Sequence, residues 1–110
     1  MMTKTGTLAF SAPEIFTQKY YDEKIDVWSA GIVLYMMLSG VQPFLSDIVP
    51  ELISMITRDE PNYNIEAFSL VSEDAKNFIK KMLTKDPKQR PSASECLSDP
   101  WFTEIENPFR

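Results

Sequence analysis

Histidine is absent from these 110 residues, and cysteine occurs once, as Cys96. Imidazole and thiolate metal clusters, histidine-based catalytic triads and an internal disulfide are thereby excluded. Glycine is also scarce: Gly6, Gly31 and Gly40 are too dispersed to build a phosphate-cradling loop. Basic residues are in the minority. Eleven Lys and Arg against sixteen Asp and Glu give a formal net charge of -5, which argues against a phosphate-backbone partner and so against nucleic acid. The longest apolar run, residues 32–38, is far short of the ~18 residues a membrane-spanning helix needs, so no membrane segment is expected. The first seven residues are polar with one lysine and lack the apolar stretch of a secretory signal, which makes the cytoplasm the default location.

What is present is a globular composition, 44% hydrophobic and 25% charged, long enough for one domain that buries roughly two-thirds of its unfolded surface. Residues 1–11 show neither helical nor strand period and read as an irregular arm. Pro13 suits the first turn of a short helix over residues 12–16. Residues 26–38 are apolar almost all the way round, predicting a helix surrounded by protein, with Trp28, Met36 and Met37 in the core, Asp26 as cap and Gly40 as stop. Pro50 opens a further short helix to about residue 58. Ala75, Phe78, Ile79, Met82 and Leu83 follow the i, i+3, i+4, i+7, i+8 pattern behind a Ser72 cap, with Lys80, Lys81 and Lys85 toward the end. Ser92 and Glu95 have capping-box spacing and start a last helix through Leu97. No strand alternation of useful length appears, so the expected fold class is all-α. Cys96 is expected to be a small helix hydrophobe, because no base can accompany it.

Three separated blocks carry a family resemblance: Gly6-Thr7-Leu8-Ala9-Phe10-Ser11-Ala12-Pro13-Glu14, Asp26-Val27-Trp28-Ser29-Ala30-Gly31, and Asp86-Pro87-Lys88-Gln89-Arg90-Pro91. In this order, with Gly40-Val41-Gln42-Pro43-Phe44 between them and Asp99-Pro100-Trp101-Phe102 at the end, the chain resembles the C-terminal lobe of a eukaryotic serine/threonine protein kinase domain. It is most like the calcium/calmodulin-dependent and calcium-dependent kinase group. The resemblance implies a partial lobe without the N-lobe: an arm over residues 1–11 that is the end of the activation segment, a helical part over 12–103, and a tail over 104–110.

By that resemblance Glu14 pairs with Arg90, and Asp26 accepts backbone N–H bonds from a catalytic loop. Trp28 is a structural residue of the buried helix. Thr7 makes a supporting contact to the catalytic aspartate and lysine, and Leu8 and Ser11 receive the substrate residue after the acceptor. Thr3 falls where relatives carry a phosphorylated threonine, whereas Thr3 and Thr5 taken alone are ordinary loop residues. Met36 stands where kinases selecting arginine two residues before the acceptor carry a glutamate, so weak selection there is implied. Phe10 and Asp99 depart from the more usual tyrosine and histidine. The Gly-rich loop, the β3 lysine, and the H-R-D and D-F-G aspartates that hold ATP and Mg²⁺ in a complete kinase are not among these residues. No cofactor is therefore assigned to this chain, and no metal ligand or catalytic residue. The implied partners are protein substrates or the remaining kinase lobe, with no nucleic acid. Two readings stay open: a portion of an enzyme that phosphorylates protein serine or threonine, and a non-catalytic kinase-like binding or scaffold module. For the first, the long helix should show an apolar patch that the rest of the lobe covers.

Overall fold

The computed structural model describes residues 8–17 and 22–101, and the elements among them are helical, with no strand. They are α1 (Glu14–Thr17), α2 (Lys24–Ser39), α3 (Val49–Arg58), a 3-10 turn (Glu66–Phe68), α4 (Glu73–Met82) and α5 (Ala93–Cys96).

The helix ends follow local chemistry. Ser72 Oγ accepts from the Ala75 amide at the start of α4, and Ser92 with Glu95 closes a reciprocal capping box on α5. Gly40 ends α2 in the left-handed region at φ 79°, its N–H donating to Met36 O. Two expectations are corrected. The long helix begins at Lys24, so Asp26 is not its cap but lies in its first turn. Glu23 stands at the N-cap without a side-chain bond, and the Asp22 carboxylate accepts from the Lys24 N–H instead, at 2.9 Å. Met37 is 75% exposed rather than core, because one step past Met36 turns the side chain about 100° around the helix and away from the packed face.

Trp28, Ile32 and Tyr35 of α2 face the main core. It is filled by Ala9, Ala12, Phe44, Leu52, Ile56, Phe68, Ile79 and Leu83. Tyr35 meets Phe68 edge-on at 4.8 Å and donates from its hydroxyl to Asn62 O at 2.6 Å, tying the 3-10 region to α2. Val27, Phe78, Met82 and Cys96 form a smaller cluster on the other side.

At the crossing of α2 with α4 the backbones approach closely at Gly31. A Cβ there would lie 2.9 Å from both Leu83 Cδ2 and Met82 Cβ. Gly31→Ala is therefore expected to destabilise the protein by about 1–3 kcal/mol through overpacking, which outweighs the gain in helix propensity of up to about 1 kcal/mol. Urea unfolding checks it: a lower midpoint at constant slope is expected, and a raised midpoint would show that α4 yields freely.

Candidate functional site

The site is organised by Arg90, presented by the loop after α4. Pro87 follows Asp86, whose carboxylate accepts from the Lys88 N–H and whose carbonyl accepts from the Gln89 and Arg90 amides. This tight turn aims the guanidinium inward. Nη1 and Nη2 donate to Glu14 Oε2 and Oε1 at 2.7 and 2.8 Å, a bidentate pair whose two side chains are both 0% exposed. Nε donates to Thr84 O, Nη1 also to Lys24 O, and Nη2 also to Lys85 O. All five guanidinium N–H donors are thus used, and one side chain joins α1, the start of α2 and the end of the α4 region.

Trp28 lies against this hub. Its indole stacks on Phe44 at 6.1 Å with planes 5° apart, the Arg90 guanidinium carbon stands 5.2 Å from the ring centroid, and Lys85 Nζ stands 5.4 Å from it. Lys85 also sits 5.0 Å over the Phe44 ring and donates to Ile56 O at 2.8 Å. Burial pushes its ammonium below the ordinary lysine value, against the opposing pull of Glu60 and Asp59. Lys85 was legible only as one base in a run toward the end of α4. Nothing in the spacing marks it as a bridge to α3, 29 positions back in sequence.

The segment before α1 is laid onto this core. Ala9 and Ala12 are buried, while Leu8, Phe10 and Ser11 are half-buried. The Ser11 amide donates to Leu8 O at 2.9 Å, closing a turn, and Ser29 Oγ of α2 donates to Phe10 O at 3.0 Å. Ser29 carried no signal beyond its place in the second sequence block. Thr3, Thr5 and Thr7 lie outside the described residues.

One face of α2 is open. Asp26, Ala30, Val33 and Met37 are exposed along it, at helical spacing. Beside this stripe runs a groove of about 500 Å³ walled by Val27, Leu34, Phe78, Met82, Cys96 and Trp101. Cys96 is buried, and burial raises its thiol above the ordinary value, with Asp99 and Glu95 acting in the same direction. Met36 is half-buried against the main core and carries no charge.

At one end of the groove, Asp99 is 6% exposed at its side chain and accepts from Lys81 Nζ at 2.7 Å and from the Trp101 amide at 3.0 Å. Burial opposes its ionisation, yet the Lys81 and Trp101 bonds hold its carboxyl below the ordinary aspartate value of 3.8. The latch therefore contributes fully above that value and is lost as pH falls through the lower folded-state value. The Lys81 side chain is 55% exposed, so the expected contribution is about 1 kcal/mol. Asp99→Asn should lower the melting temperature at pH 7 and make no difference well below pH 4. An equal loss at both ends of a pH series would remove the carboxylate from the explanation.

With this geometry in view, the likeness to known proteins is specific. The protein kinase domain family profile matches residues 1–102. Rabbit serine/threonine-protein kinase 17A (Oryctolagus cuniculus) is 42% identical over 99 residues, 90% of this chain and 25% of that protein. Calcium-dependent protein kinase 3 of Plasmodium berghei (strain Anka) is 39% identical over 109 residues, 99% of this chain and 20% of its own length. Mouse (Mus musculus) myosin light chain kinase 2, skeletal/cardiac muscle, is 38% identical over 100 residues, 91% of this chain and 16% of its own length. Among solved structures, the twitchin kinase region from C. elegans superposes with a TM-score of 0.82 at 38% identity, covering 89% of this chain and 18% of that one. The chain thus spans a quarter or less of the length of these relatives. The helical architecture, the match over nearly the whole chain and these serine/threonine kinase relatives place it in one family: the chain belongs to the protein kinase domain family, as a portion of its helical lobe.

Proposed function

We propose that these residues form the substrate-side floor of a serine/threonine protein kinase that, as a complete domain, transfers phosphate from ATP to protein serine or threonine in the cytoplasm. The carrying observation is the Glu14–Arg90 lock, which fastens the segment bearing Leu8 and Ser11 to the lobe. In this reading Leu8 and Ser11 receive the substrate residue after the acceptor, and Thr7 supports the catalytic aspartate. Thr3 is a phosphorylation site of the activation segment. Asp26, exposed on α2, holds the catalytic loop by accepting its backbone N–H groups, and the apolar stripe and groove beside it seat the rest of the lobe. Met36 offers no charge to a substrate guanidinium.

Among the described residues, the glycines do not fit the phosphate-binding loop of a nucleotide site. Gly31 is wedged within α2 against Leu83 and Met82, and Gly40 closes that helix, so neither belongs to a phosphate-binding loop. ATP and Mg²⁺ belong to the complete domain, and no step of phosphate transfer is assigned to a residue of this chain.

A second reading is a kinase-like binding or scaffold module whose open α2 face and groove seat a separate partner, and one experiment separates the two. The endogenous protein is captured with an antibody against residues 72–102, weighed intact, and assayed for phosphate transfer to serine- and threonine-containing peptides. A mass several times 12.6 kDa together with transfer is expected. A mass near 12.6 kDa without transfer overturns the enzymatic reading and leaves the binding module.

A further inference from the structure

Among the described residues, the hydroxyls on helices or just past their ends mostly bond within one turn. Thr17 donates to Pro13 O, Ser39 to Tyr35 O, Thr57 to Ile53 O and Thr84 to Lys80 O, each four residues back. Ser29 does otherwise. Its Oγ crosses from α2 to the carbonyl of Phe10, 19 residues earlier, at 3.0 Å. That carbonyl belongs to the Phe10–Ser11 peptide unit, and a peptide unit is planar. Holding its oxygen therefore orients the Ser11 N–H on the opposite side, and this N–H closes the turn by donating to Leu8 O. Ala9 and Ala12 sink into the core on either side of Phe10, so the backbone lies close to α2. The Glu14–Arg90 lock fixes only the C-terminal end of the segment. Ser29 pins its middle.

We infer that Ser29 is a positioning residue for substrate selection: its hydroxyl sets the orientation of the Leu8–Ser11 turn and thereby the selectivity for the substrate residue after the acceptor, without touching substrate. The inference rests on the proposed role of Leu8 and Ser11. Loss of the hydroxyl frees the Phe10–Ser11 peptide to rotate and blurs the surface the turn presents. Threonine keeps a hydroxyl that can make the same bond.

The test compares the full-length protein with its Ser29→Ala and Ser29→Thr variants, using peptides that differ only in the residue after the acceptor. In Ser29→Ala the KM for the preferred peptide is expected to rise about three- to tenfold, the range one neutral hydrogen bond is worth. Discrimination between peptides should fall by a similar factor. KM for ATP should stay unchanged, and Ser29→Thr should restore the profile. An unchanged peptide profile in Ser29→Ala, or an equal loss toward every peptide and ATP, overturns the inference.

A second readout needs no activity. Amide hydrogen exchange at Ser11 should be about tenfold faster in Ser29→Ala, while the Leu83 amide, bonded to Ile79 O, keeps its protection. Unchanged exchange at Ser11 overturns the inference whatever the kinetics show. Wild-type protein that transfers no phosphate overturns the proposed enzymatic function instead, and the exchange measurement then decides on Ser29.

Discussion

Glu14→Ala is expected to lower the unfolding free energy by about 3–5 kcal/mol, because it leaves the Arg90 guanidinium buried with no counter-charge. The two side chains are fully enclosed, and Nη1 and Nη2 lose their carboxylate partners together. For a protein of this size such a loss amounts to a fall of roughly 12 °C or more in melting temperature. Arg90→Ala should be worse still. It strands the Glu14 carboxylate and also takes away the donor that Thr84 O, Lys24 O and Lys85 O share. Arg90→Lys should not rescue it, since an ammonium has three donors and no planar fork to meet both carboxylate oxygens. Replacing both partners by methionine should recover part of the loss, because the desolvation penalty of two buried charges disappears with them. Urea unfolding of the four variants checks the order. A Glu14→Ala midpoint equal to wild type would show that the lock is not stabilising.

Trp28→Ala is expected to have a comparable effect, about 3–5 kcal/mol, from the largest fully buried side chain of the core. The indole fills the space between α2 and the loop carrying Phe44, and it supplies the ring face for Arg90 and Lys85. Its Nε1–H is buried and finds no acceptor among the described residues. Trp28→Phe removes that unsatisfied donor while keeping a ring, so it should be far milder than Trp28→Ala. A double-mutant cycle with Lys85→Met isolates the cation–ring contact, for which a coupling of about 0.5–2 kcal/mol is expected. Zero coupling would mean that Lys85 acts through its bond to Ile56 O and its contact with the Phe44 ring, not through Trp28.

The parts of the fold that rest on short-range chemistry were legible in the sequence. Ser72 and the Ser92/Glu95 pair mark helix starts because a side-chain oxygen reaches an amide three residues on, and Gly40 marks an end because only glycine enters the left-handed region without strain. The Glu14–Arg90 pair was legible only through the kinase resemblance, since 76 positions separate its members. Asp26 misled as a cap because a lone Asp before an apolar run satisfies the local rule, while Asp22 meets the Lys24 N–H two residues before the apolar run begins. Met37 misled because a helix apolar on all sides gives no phase.

The amino-acid sequence by itself determined the all-α class, the helix boundaries set by caps and breakers, the lack of histidine and of an internal disulfide among these 110 residues, and the family. Each of these is written in residue identity or in spacing of a few positions. Only the tertiary structure decided which side of α2 is buried and which stays open, that Lys85 bridges to α3 over two rings, that Arg90 uses all five donors, and that Ser29 pins Phe10. The physical reason is one of range. Capping and periodicity act within a turn, whereas the Ser29–Phe10, Lys85–Ile56 and Arg90–Glu14 contacts join groups 19 to 76 positions apart, brought together by burying apolar surface, a force without direction that leaves the choice of partners to the packing.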